Sequence, residues 1–526
     1  MSAFPSQLHA LLQPRGYPHP VRAVELIETH ISWILLTGEF AYKIKRPVLY
    51  AFIDLRSPER REFLCHEEVR LNRRFAPELY LGVSPICLHE DAARVAGEGP
   101  VIEHAVRMRQ FAREDELDRL LAAGRVAPAE LAAFGGELAR THAQLPRPQP
   151  DQQWGRPEQL RRVVRDNAAE CARAARACGA ATSPRSLQGE LSRRLEAAMP
   201  RLAQRFAAGR VRECHGDLHT RNIVRCAGAL RAFDCLEFDP ALRWTDVADE
   251  IAFLLADLET QQRPLHAQAF LAGYLEESGD YQACALLPLF KAHRALVRAK
   301  VAALSAAHPG ALPAEMSDAC GQYRSYLEGA RRSLAPAAPR LVLMCGLSGS
   351  GKTWIARQLA PPLGAVHLRS DIERKRLAGL PALERAGADV AQGRYSRAAT
   401  LRVYEYLAQC AGEILPGGYS VIVDATFGRR EDRARMRALA ARLAVPVCIV
   451  HCQAPCEVLE ARIGERSRRA DDPSDAGPAV LAWQQSHFEP PDASEGVPVF
   501  AVSTSEPGVL EELVQRIGAQ LTVSAL

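Results

Sequence analysis

From residue 341 onward, short apolar runs recur at 341–345, 365–368, 419–424, 446–451 and 498–503, with helix-length amphipathic stretches between them. Brief apolar runs that alternate with helical periods predict buried parallel strands joined by crossover helices, an α/β doubly wound sheet. The first half has another rhythm. Residues 21–110 mix short apolar runs with turns, among them Ile31–Leu36 and Ala41–Ile44, then a helical stretch from about Pro58 to Phe75 and a strand-like run near Val101–Met108. From about Glu114 the chain turns to Ala-, Leu- and Arg-rich helical periods at roughly 128–144, 157–178 and 185–207. This predicts an α+β domain over 1–333, with a small sheet lobe at about 20–110 and a helical lobe at about 111–333. Residues 334–339 have two prolines and no helical period, so they predict a linker, and 340–526 the α/β domain.

The first apolar run of the second half leads into Gly346-Leu347-Ser348-Gly349-Ser350-Gly351-Lys352-Thr353, which fits G-x-x-x-x-G-K-[ST], a P-loop. Glycines at 346, 349 and 351, with Ser350, let backbone N–H groups wrap phosphates. Lys352 reaches the β- and γ-phosphates, and Thr353 offers a hydroxyl to Mg²⁺. The N-terminal end of the following helix adds its positive field. Binding of ATP with Mg²⁺ is therefore expected.

Two carboxylates stand where such sheets form their ligand crevice: Asp371 after the second run and Asp424 at the end of the third. Asp371 is read as the base that takes a proton from an incoming hydroxyl and Asp424 as the metal organiser, with the reverse assignment open. Arg462, Arg466, Arg468 and Arg469 follow the fourth run. They read either as a solvated helix or as a lid in which Arg466 neutralises the transferring phosphoryl group.

A second motif lies in the helical lobe: His215-Gly216-Asp217-Leu218-His219-Thr220-Arg221-Asn222, with Asp234 twelve residues beyond the Asn. An Asp, an Asn five places later and a further Asp suit phosphoryl transfer. Asp217 accepts the substrate hydroxyl proton while Asn222 and Asp234 hold Mg²⁺. The acids that follow, Glu237, Asp239, Asp246 and Asp249, read as helix caps and arginine partners.

Composition narrows the class. A chain of 526 residues exceeds one core, and 48% apolar residues exclude wholesale disorder. With no apolar run of about twenty residues and no signal-like N-terminus, the expectation is a cytoplasmic protein without a membrane partner. A net charge of +4 makes no electrostatic case for nucleic acid. Fourteen cysteines without a repeated C-x-x-C frame predict reduced, buried thiols, and the group Cys448, His451, Cys452 and Cys456 lacks zinc-ligand spacing. Of 66 basic residues six are lysines, 43, 45, 291, 300, 352 and 375. Arg replaces Lys poorly where a compact ammonium is needed, so each invites inspection; four fall inside motifs, while Lys291 and Lys300 carry no identifiable chemistry.

The motif at 215–222 resembles the catalytic loop H-G-D-x-H-x-x-N of the aminoglycoside phosphotransferase family, whose fold is similar to that of protein kinases. The likeness covers roughly residues 20–330. It implies that Lys43 is the strand lysine that holds the nucleotide phosphates, that Glu68 or Glu67 is its helix partner, and that Leu36–Glu39 covers the nucleotide with one glycine. It also implies that Phe233-Asp234-Cys235 stands where kinases have D-F-G. Residues 340–522 resemble P-loop kinases related to the polynucleotide kinase and zeta-toxin groups. The joined halves resemble bacterial bifunctional proteins in which an aminoglycoside phosphotransferase-like domain precedes a P-loop kinase-like domain. The resemblance implies a two-site phosphotransferase that uses ATP and Mg²⁺ and acts on a small-molecule hydroxyl or a nucleic-acid end, with no obligate protein partner. Competing readings are a nucleotide-sensing regulator and a P-loop ATPase switch with one active half.

Overall fold

The computed structural model describes residues 4–50, 53–90, 92–179, 185–308, 311–382, 384, 397–469, 472–506 and 509–523. They fall into two compact units, Met1–Tyr274 with Leu289–Arg332 and Leu275–Pro288 with Ser333–Leu526. The segment Leu275–Pro288, which the sequence pattern leaves with the first half, packs in the second. There the Tyr281 hydroxyl donates to buried Glu373 at 2.7 Å.

The first unit opens with strands β1 (Glu25–Glu28), β2 (Ser32–Leu36) and β3 (Phe40–Lys45). The short pair β4 (Leu49–Tyr50) and β5 (Ile53–Asp54) follows, then β6 (Tyr80–His89), β7 (Ala92–Val95) and β8 (Val101–Arg109). An antiparallel sheet of order β1-β2-β3-β8-β6-β7 results, with β3 and β8 central. Successive side chains of a strand face opposite sides. On β3, Tyr42 and Ile44 enter a core with Trp33 and Leu35, whereas Ala41 packs with Cys65 and Val69 of the helix Pro58–Asn72. Lys43 and Lys45 share the Ala41 face, so both point at that helix. Ser57 caps it by accepting the Arg60 N–H, and Pro58 occupies its first turn.

The rest of this unit is mostly helical. Helices Pro128–Gln144, Pro157–Ala174 and Arg185–Ala207 coincide closely with the predicted periods. The predicted thiols differ in one respect: Cys178 and Cys320 form a disulfide, their Cα atoms 5.2 Å apart and 142 residues apart in sequence. Spacing along the chain carries no information about such a pairing of a helix end with the body of another helix. The other twelve cysteines are free, ten of them buried. Between helices lie β9 (Val211–Glu213), β10 (Ile223–Cys226), β11 (Ala229–Ala232) and β12 (Trp244–Asp246), paired as β10-β11 and β9-β12.

The second unit is an α/β sheet of five strands, β13 (Leu341–Cys345), β14 (Ala365–Arg369), β15 (Ser420–Asp424), β16 (Val447–Gln453) and β17 (Val499–Ser503). Its order is β14-β15-β13-β16-β17, with every pair parallel. Strands β13 and β15 are buried throughout, as a sheet covered on both faces requires. Among the described residues no helix is long and apolar enough to cross a membrane.

Candidate active sites

In the second unit the chain leaves β13 through the P-loop and enters the helix Lys352–Leu363. Gly346, Gly349 and Gly351 have φ of +143°, +81° and +82°, and a Cβ on Gly346 would come within 2.4 Å of the Cys452 carbonyl oxygen. Only glycine fits that turn. The loop is braced from outside: the Ser348 N–H donates to Gln484 Oε1 at 2.8 Å, and Arg462 donates to the Gly349 carbonyl and to Thr504. Lys352 Nζ donates to the Leu347 carbonyl at 2.8 Å. Thr353 Oγ1 donates to Asp424 Oδ2 at 2.7 Å, and His367 Nε2 lies 3.1 Å from the same oxygen. Burial pushes the Asp424 carboxyl up, but His367, Lys352 and Thr353 outweigh it and hold it down at about 2.

A cavity of about 560 Å³ opens over these groups. Gly349, Gly351, Lys352, Thr353, Asp371, Asp424 and Arg466 all line it, so seven of the predicted site residues share one space. Asp371 is the second residue of the helix Ser370–Leu377 after β14. Arg466, on the helix Cys456–Arg469, donates to the Ala476 carbonyl at 2.8 Å. Arg468 reaches back along its own helix to Gly464, and the Arg469 side chain lies outside the described residues. Ser350 Oγ is buried with no hydrogen-bond partner among the described residues. An orphaned hydroxyl inside a loop of glycines, next to a hydroxyl–carboxylate pair, is a donor and acceptor set that fits a nucleotide polyphosphate and a hard cation.

In the first unit Lys43 Nζ donates to Glu68 Oε1 at 2.8 Å and to Asp234 Oδ1 at 2.5 Å. The helix partner is thus Glu68; Glu67 faces Arg70 at 2.8 Å and Arg243 at 3.4 Å. Lys45 Nζ bonds the other Glu68 oxygen at 2.7 Å and Glu237 Oε1 at 2.5 Å. Burial opposes charge on Lys43, but Asp234 and Glu68 keep its pKa well above the ordinary value. Burial raises the Glu68 carboxyl, yet both lysines bring it to about 2. In sequence Lys45 is only a second lysine two residues on, and Glu237 only one acid among several; strand alternation is the signal that puts Lys45 on the face of Lys43, and nothing local points to Glu237. The neighbouring acids are occupied: Asp246 with Arg205 at 2.8 Å, Asp249 with Arg294 at 2.7 Å, and Asp239 as a cap on Ala241.

The hairpin β10–β11 folds Asn222 back beside Phe233, whose N–H donates to the Asn222 carbonyl at 2.9 Å. This brings Asn222 next to the segment that carries Asp234, itself at φ +63° with its N–H donated to the Tyr80 hydroxyl. Asn222 Nδ2 donates to Asp217 Oδ2 at 3.0 Å, which leaves the amide oxygen on the far side. His219 Nε2 is 3.4 Å from Asp217. Burial pushes the Asp217 carboxyl up, but His219, Arg298 and His215 hold it well below the usual range, so it is ionised. His215 is kept neutral by burial, its pKa lowered to about 4. Its Nε2 lies 2.8 Å from the Phe233 carbonyl and its Nδ1 accepts the Asp217 N–H. Glu250 accepts the His215 and Gly216 N–H groups and so fixes the start of the loop, a role the sequence does not announce. The segment Leu36–Glu39 is the tight β2–β3 turn, and its Gly38 N–H donates to Gln110 Oε1 at 2.8 Å.

Both motifs have counterparts in known families. The model of the phosphotransferase enzyme family matches residues 55–287, and that of an AAA domain matches 341–491. The uncharacterized proteins Rv2004c of Mycobacterium tuberculosis H37Rv and Mb2027c of Mycobacterium bovis are each 32% identical over 482 residues, 90% of this chain and 92% of theirs. The chain belongs to their family. It joins an aminoglycoside phosphotransferase-like domain to a P-loop kinase-like domain and is a phosphotransferase of the kinase type. Among solved structures, a gluconokinase from Sinorhizobium meliloti 1021 aligns at 18% identity, over 36% of this chain and 100% of that one, with a TM-score of 0.26. A choline kinase from Cryptosporidium parvum aligns at 11% identity, over 59% of this chain and 89% of that one, with a TM-score of 0.35. The phosphotransferase match contains Glu68, Asp217, Asn222 and Asp234 but begins beyond Lys43, while the AAA match contains the P-loop, Asp371, Asp424 and Arg466.

Proposed function

We propose that the chain has two transfer sites, each moving the γ-phosphoryl group of ATP, with Mg²⁺, onto a hydroxyl of a small molecule or a nucleic-acid end. The observation that carries this reading is the cavity over β13–β15, where the P-loop, Asp424 and Asp371 line a single space. Bound ATP with Mg²⁺ supplies the phosphoryl group and neutralises its oxygens. In the second unit the P-loop, with Lys352, holds the polyphosphate. Thr353 and Asp424 hold the metal, Arg466 offsets charge on the equatorial oxygens, and Asp371 takes the acceptor proton. The bond between Thr353 and Asp424 supports Asp424 rather than Asp371 as the metal organiser. In the first unit Lys43, positioned by Glu68, faces the phosphates; Asn222 and Asp234 are the metal ligands, and ionised Asp217 is the base.

Transfer of labelled γ-phosphate is measured for wild type, Lys352→Ala and Asp217→Asn, with and without pooled metabolite and RNA extract. Two active sites require that extract stimulates transfer and that each substitution removes part of it. If Lys352→Ala alone matters and ATP is merely hydrolysed, the first unit is a nucleotide sensor and the P-loop unit a switch. The occupied Gly38 amide is the observation that favours this second reading.

A further inference from the structure

The order of the second sheet divides its cavity. The P-loop crosses the end of β13, and the elements that brace it from outside, Arg462 and Thr504, follow β16 and β17. On the other side, beyond β15 and β14, the wall is built from the N-terminal ends of three helices, Ser370–Leu377, Arg397–Ile414 and Arg430–Arg442. Asp371 stands on the first of these. A base there faces whatever fills the β14–β15 half, which makes that half the acceptor's.

The charge of that wall is informative. Nine basic side chains line the cavity against five carboxylates. Asp472 engages Arg369 at 3.0 Å, and Glu431 lies 3.3 Å from Arg435. Arg397, first residue of its helix, and Arg429, the residue before Arg430–Arg442, line the cavity and take part in no ion pair among the described residues. Burial raises the Asp432 carboxyl on balance, while Asp432 feels the charge of Arg435 and Arg429 without forming an ion pair with either. The nucleotide half has Lys352 and Arg466 for the polyphosphate, while Arg462 is engaged by Gly349 and Thr504, so Arg397 and Arg429 are left for something else. A neutral alcohol would leave them uncompensated beside a bound acceptor. An oxyanion would meet their planar donor forks with charge-assisted hydrogen bonds.

We propose that the acceptor of the P-loop unit is an alcohol carrying its own oxyanion, a phosphate monoester or a carboxylate, held by Arg397 and Arg429 while its hydroxyl faces Asp371. This rests on the transfer reading of that cavity. In the reaction the hydroxyl gives its proton to Asp371, its oxygen forms a bond to the γ-phosphorus, and the bond from that phosphorus to the bridging oxygen breaks with its electron pair on ADP. The acceptor's oxyanion is unchanged, so the product carries one phosphoryl group more.

The test uses the full chain saturated with Mg²⁺ and a non-hydrolysable ATP analogue. Ribose 5-phosphate, gluconate, inorganic phosphate and ribose are each titrated in by calorimetry. At least one anionic probe is expected to bind tenfold or more tightly than ribose, and the preferred one distinguishes phosphate from carboxylate. Arg429→Ala and Arg397→Ala should each weaken that binding by about tenfold or more, the scale of a lost hydrogen bond to a charged group, with affinity for the analogue unchanged. Arg442→Ala, an exposed arginine at the other end of the helix Arg430–Arg442, should leave it intact. Equal binding of ribose and the anions, binding of none, or unaltered affinity in both variants overturns the proposal while leaving the nucleotide site standing. Failure of the wild type to bind the analogue overturns the reading of the site itself.

Discussion

Glu68 is fully buried and divides its two oxygens between two lysines, one of which, Lys45, is as deeply buried and turns to Glu237. Removing one partner of such a group leaves charge without compensation in a poor dielectric, commonly at about 3–5 kcal/mol. Lys45→Met is therefore expected to destabilise the first unit on that scale in urea denaturation, although Lys45 is not assigned to the phosphates. Lys43→Met should act chiefly on transfer, because Lys43 is the lysine that also meets Asp234. His215 gives a pH dependence. Its folded pKa of about 4 lies below the ordinary value of 6.5, so its contribution to stability is complete above 6.5 and is lost as pH falls towards 4. By pH 5 the loss is on the order of 2 kcal/mol. Melting temperature measured from pH 7.5 to 5 should fall with a steeper acid limb in wild type than in His215→Asn, whose side chain does not titrate. At this scale the sequence shows which residues bear chemistry through local spacing, as with Asp217 and Asn222. It does not show Lys45 with Glu237, 192 residues apart, or Glu250 behind the loop, because those pairings exist only after the chain has folded.

The five strands of the second unit lie within about two residues of their apolar runs, since a parallel sheet buried on both faces must be continuously apolar and its helices must be periodic. Strands β1, β6 and β7 of the first unit escape the pattern. β1 is exposed at both ends, and β6 contains Gly82 and Pro85 and breaks register with β8. Such strands are specified by pairing with a neighbour more than by their own composition. The P-loop is legible for the opposite reason, because its backbone has no alternative to glycine. Gly346→Ala forces φ near +143° on an alanine and its Cβ onto the Cys452 carbonyl, so nucleotide binding at the P-loop should be lost, leaving that of the first unit, and the melting temperature should drop. Gly364→Ala is the control. That glycine caps the same helix at φ +54° with open space around it, and the change should cost about 1 kcal/mol while leaving nucleotide affinity intact. Calorimetric titration with ATP on both variants separates a loop that cannot form from a helix that is merely weaker.

On the proposed reading each unit supplies a lysine, a carboxylate base and oxygen ligands for a metal by its own route, one on an antiparallel sheet and the 215–222 loop, the other on a glycine loop and strand ends. The two sets share no residue. Substitutions at sites with no common partner add in free energy to within about 0.5 kcal/mol, whereas sites coupled through a conformational change do not. Each acceptor reports on its own unit, so the cycle is run with two products. Asp217→Asn should abolish one labelled product and leave the other, Asp371→Asn the converse, and the double variant should lose both, with ATP affinity at each site within twofold of wild type. If instead Lys352→Ala, which acts on nucleotide binding in the second unit, changes the rate of the Asp217-dependent product tenfold or more, the units are coupled by more than 1 kcal/mol. One half then gates the other. The rate of the Asp217-dependent product in Lys352→Ala, measured with both acceptors present, decides between two enzymes on one chain and a single regulated one.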